Sequence, residues 1–164
     1  MRSMIAYYSY TGHSKTVAEY MARELGARGD VTLERLKPVN EVKTFFGQCR
    51  AAFARSRAEL EPGVTFDLSH YDLVVLGCPV WAFAPVPAVN TYLDKLSGIQ
   101  GKRAIVFLTS GSGAGVGKCF NTIRNTLESK GVVHVSQLNI PDRNSNDEAF
   151  IANAIARAIA EAVI

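Results

Sequence analysis

The chain has 164 residues, 48% hydrophobic and 20% charged, with a net charge of +3 at neutral pH. This length matches one domain of roughly 100–200 residues, which argues against a two-domain enzyme. The near-average polar balance excludes a disordered chain or a small fold that needs staples. Three cysteines, Cys49, Cys78 and Cys119, form no Cys-x-x-Cys pair and join no histidine cluster with ligand spacing, so neither a disulfide framework nor a zinc site is expected. Met1 to Tyr8 lack the apolar run and small-residue cleavage site of an export signal, and a reducing cytoplasm is the expected compartment.

Along the chain, short apolar runs alternate with helical periods. Met4 to Tyr8 reads as a first strand, followed by a helix with its apolar stripe on Val17, Met21 and Leu25. Val31 to Leu36 is apolar but interrupted by Thr32, Glu34 and Arg35, which suits an edge strand. Val42, Phe45, Phe46, Cys49, Ala52 and Phe53 form the second helical stripe. Leu73 to Leu76 is a continuous apolar run, Val86, Val89, Leu93 and Leu96 a third stripe, and Ala104 to Leu108 a further continuous run. Val116, Phe120, Ile123 and Leu127 make the fourth stripe. Val132 to Leu138, interrupted by His134, Ser136 and Gln137, is a second edge strand, and Ile151, Ile155, Ala158, Ile159 and Ala162 complete the series. Residues 73–93 carry no charge, but Gly77, Pro79, Pro85, Pro87 and Asn90 would break a membrane helix repeatedly, so a strand, a loop and a helix start are expected instead.

Five strand–helix units imply an α/β three-layer sandwich with a parallel sheet and right-handed crossovers, folded as a single domain over residues 1–164. The most apolar strands, the first, third and fourth, belong inside and the second and fifth at the edges, which selects the order 2-1-3-4-5. That order reverses between strands 1 and 3. A ligand crevice is therefore expected where the loops after Tyr8 and Cys78 meet.

Three loops converge there. Ser9-Tyr10-Thr11-Gly12-His13-Ser14 offers hydroxyls, a permissive glycine and the free N–H groups of a helix start, which suit a phosphate without metal or lysine. By itself the loop reads equally as an ordinary helix N-cap. Cys78-Pro79-Val80-Trp81-Ala82-Phe83 carries the chain's single tryptophan, either a flat ring to stack on a planar heterocycle or a structural side chain. Thr109-Ser110-Gly111-Ser112-Gly113-Ala114-Gly115 allows close backbone approach to a polar ligand edge.

Other chemistries fail at these loops. A Walker A loop ending at Gly117-Lys118 would need glycine at Ser112 and a hydroxyl at Cys119, and a Gly-x-Gly-x-x-Gly fingerprint meets Val116 or Lys118 at its last glycine. A receiver domain needs acidic residues after strand 1 and an aspartate after strand 3, where Tyr8-Ser9 and Cys78-Pro79 stand. No Gly-x-Ser-x-Gly elbow surrounds Ser110 or Ser112. His13, His70 and His134 share no ligand spacing and are expected at the surface or at loop ends.

Together the three loops resemble the flavodoxin family, from about Met4 to the last helix. Ser9-x-x-Gly12 with Ala18 is similar to the family's phosphate-loop signature, with Ala6, Ser14 and Met21 as mild departures. Tyr71 to Trp81 looks like the ring-side segment of a prokaryotic subgroup with a Pro-Val-Trp loop. The resemblance implies flavin mononucleotide (FMN), with its phosphate on Ser9, Tyr10, Thr11, Gly12, His13 and Ser14. Its isoalloxazine would lie between Pro79, Val80, Trp81, Ala82 and Phe83 on one side and Thr109, Ser110, Gly111, Gly113 and Gly115 on the other. In relatives a glycine in the ring-side loop often lets a peptide flip to φ > 0 in the one-electron-reduced state. Alanine and phenylalanine at 82 and 83 are expected to resist that geometry, which would disfavour one-electron chemistry.

Electron-carrier flavodoxins usually have an acidic surface and often an aromatic residue in the third loop; this chain has neither. Residues 43–57 carry Lys43, Arg50, Arg55 and Arg57 with no acid, which reads first as a solvated helix face and second as a docking patch for an acidic redox protein or anionic substrate. Nucleic acid lacks motif support. Two functions follow from the resemblance: an electron carrier between partner proteins, or an NAD(P)H-dependent reductase of quinones or similar small acceptors. The carrier ranks first, because no residue cluster for nicotinamide recognition stands out.

Overall fold

The structure, a computed structural model, describes residues 1–41 and 44–163. Strands β1 (Arg2–Tyr7), β2 (Asp30–Arg35), β3 (Leu73–Pro79), β4 (Arg103–Ser110) and β5 (His134–Pro141) alternate with helices α1 (His13–Gly26), α2 (Phe45–Phe53), α3 (Pro87–Lys95), α4 (Val116–Ser129) and α5 (Glu148–Val163). A short 3-10 turn, Asp142–Asn144, precedes α5. The sheet order is β2-β1-β3-β4-β5, and every neighbouring pair is parallel. The order expected from strand polarity is the order observed.

Burial follows the same polarity. β3 and β4 are buried almost end to end, and β1 is buried beyond its first residue, as parallel strands with helices on both faces require. β2 is largely exposed and β5 alternates between inside and outside, the pattern of sheet edges. One face of the sheet (Met4, Val74, Leu76, Val106, Leu108) packs against α3 and α4 through Val89, Tyr92, Phe120 and Ile123. The other face (Ile5, Val75, Ile105, Phe107) packs against α1 and α5 through Val17, Met21, Ile151 and Ile155. Gly77 stands opposite Phe107 in the β3–β4 register, and a Cβ there would lie 1.8 Å from the Phe107 ring, so glycine is required for the ring to lie over β3 on that face.

Two expectations need correction. β5 starts at His134 rather than Val132 and runs on to Pro141, because its pairing with β4 begins at Arg103 opposite His134 and continues to Ser110 opposite Pro141. Phe46 does not join the second apolar stripe; it is 82% exposed. At about 100° per residue it sits a quarter turn off the line from Phe45 to Cys49, and Cys49 is the residue that packs on the core. Val42 and Lys43 lie outside the described residues, as do the side chains of Phe45, Ala52 and Phe53. Residues 73–93 become β3, a loop and the start of α3, and among the described residues no helix is long and apolar enough to cross a membrane.

Candidate functional site

The loops after β1, β3 and β4 part at a common point. The Tyr8 N–H donates to the Gly77 carbonyl (2.9 Å), the Val80 N–H to the Thr109 carbonyl (2.9 Å), and Ser14 Oγ shares a hydrogen bond with Thr109 Oγ1 (2.8 Å). Between them lies a cavity of about 280 Å³ lined by Tyr10, Thr11, Ser14, Pro79, Val80, Trp81, Thr109, Ser110, Gly111, Ser112 and Asp142. It occupies the carboxyl end of the sheet at the switch point, where ligands of open α/β sheets bind.

The two readings of the first loop separate here. The residue capping α1 is Gly12, at φ 101°, and no side chain caps the helix. The hydroxyls of Ser9, Thr11 and Ser14 are therefore not consumed in holding the helix start. Ser9 Oγ is buried and has no hydrogen-bond partner among the described residues, and the same is true of Ser110 Oγ on the cavity wall. A buried hydroxyl without a partner costs about 1–3 kcal/mol, so Ser110 Oγ on the wall fits a polar ligand, while Ser9 Oγ lies in the first loop off the wall. α4 starts in the same way, at Gly115 with φ 79° and no side-chain cap.

Of the other expected residues, Trp81 reaches the wall with part of its surface, while Ser9, Gly12, His13, Ala82, Phe83, Gly113 and Gly115 stand around the cavity. Gly12 accepts the Thr16 N–H (3.0 Å), and His13 turns aside, its Nδ1 2.6 Å from Ser145 Oγ. Trp81 is only 6% exposed, with Tyr8 and Tyr10 packed edge-on against it, each with ring centroids 5.6 Å away. It offers the cavity a small part of its surface and belongs mainly to the core. Ala82 (φ 46°) and Phe83 (φ 65°) form the centre of a two-residue turn, closed by the Ala84 N–H on the Trp81 carbonyl (2.9 Å). Positive φ at both central positions defines a type I′ turn. The expectation that alanine and phenylalanine resist positive φ is thus overturned, because surrounding contacts hold the turn: a Cβ at Gly115 would fall 2.3 Å from Phe83 Cδ1, so the Phe83 ring rests directly on the third loop. Gly113 (φ 74°) accepts the Val116 N–H at the start of α4 (3.5 Å).

Two residues, Asp142 and Arg35, escape the sequence reading, and Ser112 enters it only as part of the third loop. Ser112 and Asp142 line the cavity, Asp142 from the loop after β5, with its Oδ2 3.5 Å from the position a Gly111 Cβ would take. Arg35, at the end of β2, donates from Nη2 to the Ser9 carbonyl (2.9 Å) and sets a cation behind the first loop. Nothing in the local sequence marks either charged residue; only the adjacency of loops and strands brings them in. Cys78 and Cys119 meet in the core beneath the site, where their mutual hydrogen bond and burial push the Cys119 thiol well up, leaving it protonated and inert. The basic stretch is weaker than its composition implies: Arg57 is paired with Asp94 (2.7 and 3.0 Å), leaving Arg50 and Arg55 exposed.

Comparisons with known proteins agree on this architecture. A flavoprotein from Bacteroides uniformis superposes with a TM-score of 0.70 at 20% identity, covering 94% of this chain and 97% of that one. Flavodoxin 1 from Bacillus cereus gives 0.61 at 14%, covering 96% and 98%. An NADH:FMN oxidoreductase gives 0.66 at 19%, covering 96% and 88%. The family model described as flavodoxin matches residues 2–153, from β1 into α5 and through every loop of the crevice. The chain therefore belongs to the flavodoxin family, whose cofactor is FMN.

Proposed function

We propose that this protein holds FMN in the cavity at the ends of β1, β3 and β4 and carries electrons between partner proteins. The observation that carries the site assignment is the buried, partnerless hydroxyl of Ser110 on the cavity wall, beside a helix start that no side chain caps. Bound FMN supplies the redox chemistry, and the protein supplies position and electrostatics. Thr11, Ser14 and the first N–H groups of α1 would take the phosphate, helped by the helix dipole at about 0.3–1 kcal/mol. Asp142, a carboxylate with acceptor capacity only, suits the hydroxyls of the ribityl chain. Pro79, Val80 and Trp81 form the apolar wall on the ring side, while Gly111 to Ala114 are exposed and leave the opposite side open.

Fluorescence titration tests the assignment: FMN binds more tightly than riboflavin, and Thr11→Ala and Ser14→Ala each weaken FMN by about 0.5–3 kcal/mol. Equal affinity for the two flavins would remove the phosphate site. The open third loop supports a second reading, an NAD(P)H-dependent reductase of quinones or similar small acceptors. The carrier ranks first because no residue cluster for nicotinamide recognition stands out in the sequence. Anaerobic mixing of the FMN-loaded protein with NADH and with NADPH decides between them: slow or absent bleaching of the flavin supports the carrier, rapid bleaching the reductase.

A further inference from the structure

We propose that the outer edge of β5 and the flanking face of α5 form an interface at which two copies of this chain pair about a two-fold axis. The two edges of the sheet are built differently. β2 carries Asp30, Glu34 and Arg35, and the following connection reaches back to it: the Thr65 N–H donates to the Glu34 carboxylate (3.0 Å) and the Tyr71 hydroxyl to Thr32 Oγ1 (3.0 Å). Charges and cover of this kind are how sheet edges avoid pairing with another chain. β5 has neither. Its eight residues include no Asp, Glu, Lys or Arg, it pairs with β4 alone, and Gln137 and Asn139 lie exposed along it.

Beside this edge runs a groove of about 440 Å³, bordered on the helix side by Phe150, Asn153, Arg157 and Glu161. Their spacing places them along one side of α5, apart from the buried stripe of Ile151, Ile155, Ala158 and Ile159. Phe150, large and apolar, is 39% exposed on the groove wall.

The charges on this face indicate the occupant. Arg124 and Glu128 in α4 close an ion pair at 3.8 Å, whereas Arg157 and Glu161, with the same order and spacing in α5, form none among the described residues. An isologous two-fold contact needs a self-complementary surface. Two α5 helices running antiparallel would set each Arg157 against the partner's Glu161, giving two symmetric pairs around a continuous ten-stranded sheet. A partner of a single charge sign would satisfy only one residue of each pair.

Sedimentation of the full chain, from micromolar to millimolar concentration, tests this. The expected result is a concentration-dependent dimer whose dissociation constant rises about tenfold in Arg157→Glu, through two like-charge contacts, and returns in the double variant Arg157→Glu/Glu161→Arg. Both positions are exposed, so the variants should fold as the parent does, which circular dichroism checks. A chain that stays monomeric throughout, a dimer indifferent to Arg157→Glu, or a double variant as weak as the single one would each overturn the proposal.

Discussion

Ala82 and Phe83 hold positive φ without being glycine, at a cost of roughly 1–2 kcal/mol each. Such strain persists only where neighbours over-determine it, and here the Trp81–Ala84 bonds and the seat of Phe83 on Gly115 do so. Ala82→Gly should raise stability by up to about 1 kcal/mol in urea unfolding, since relief of strain outweighs the added freedom of the unfolded glycine; a loss of similar size would show that the turn is relaxed. Gly115→Ala should destabilise by about 1–3 kcal/mol, because its methyl group meets Phe83 and its φ of 79° suits glycine. Adding Phe83→Ala should restore part of that loss. If it restores none, the seat of the ring on the glycine is not what the substitution disturbs.

At the level of elements, the tight spot is where β3 and β4 pair at Gly77 and Phe107. Gly77→Ala should cost more than about 2 kcal/mol, as the Phe107 ring would have to leave the core packed by α1 and α5; a calorimetric midpoint close to the parent's would contradict this. The bidentate pair Arg57–Asp94 ties the segment before β3 to α3. The Arg57 hydrogen bond holds the Asp94 carboxyl below its ordinary range. A carboxyl depressed in the folded state adds stability that is present above its unfolded pKa, about 3.9, and is lost as pH falls through the folded value. Both side chains are about half exposed, 52% and 47%, so solvent holds the contribution below about 1 kcal/mol. Asp94→Asn should lower the melting temperature slightly at pH 7 and hardly at all at pH 2, and an equal effect at both would place the pair's contribution elsewhere.

Across the whole molecule, a cofactor that binds only the folded chain stabilises it by mass action. Free FMN at a hundredfold excess over its dissociation constant should add about 2.7 kcal/mol, with the melting temperature climbing as FMN is raised further. Riboflavin at the same concentration should shift it less, because the crevice draws on the phosphate. A melting temperature indifferent to FMN would mean that the cavity does not take it.

The alternation of apolar runs and stripes by itself determined the five units, and the polarity of β2 and β5 determined the sheet order, because a strand buried on both faces cannot afford the interruptions at Glu34 or Gln137. The three loops of the crevice were legible for the same reason: they follow the strands that reverse the winding. What tertiary structure decided is which side chains face the cavity. Trp81 is drawn into the core by Tyr8 and Tyr10, Asp142 enters from a strand two removed from the switch point, and Arg35 reaches the first loop from the sheet edge. None of these follows from local periodicity, since each depends on distances between segments 26 or more residues apart that only packing sets. The turn at Ala82–Phe83 is the sharpest case: intrinsic preference argues against positive φ at both residues, and the contacts of Phe83 with Gly115 prevail over it.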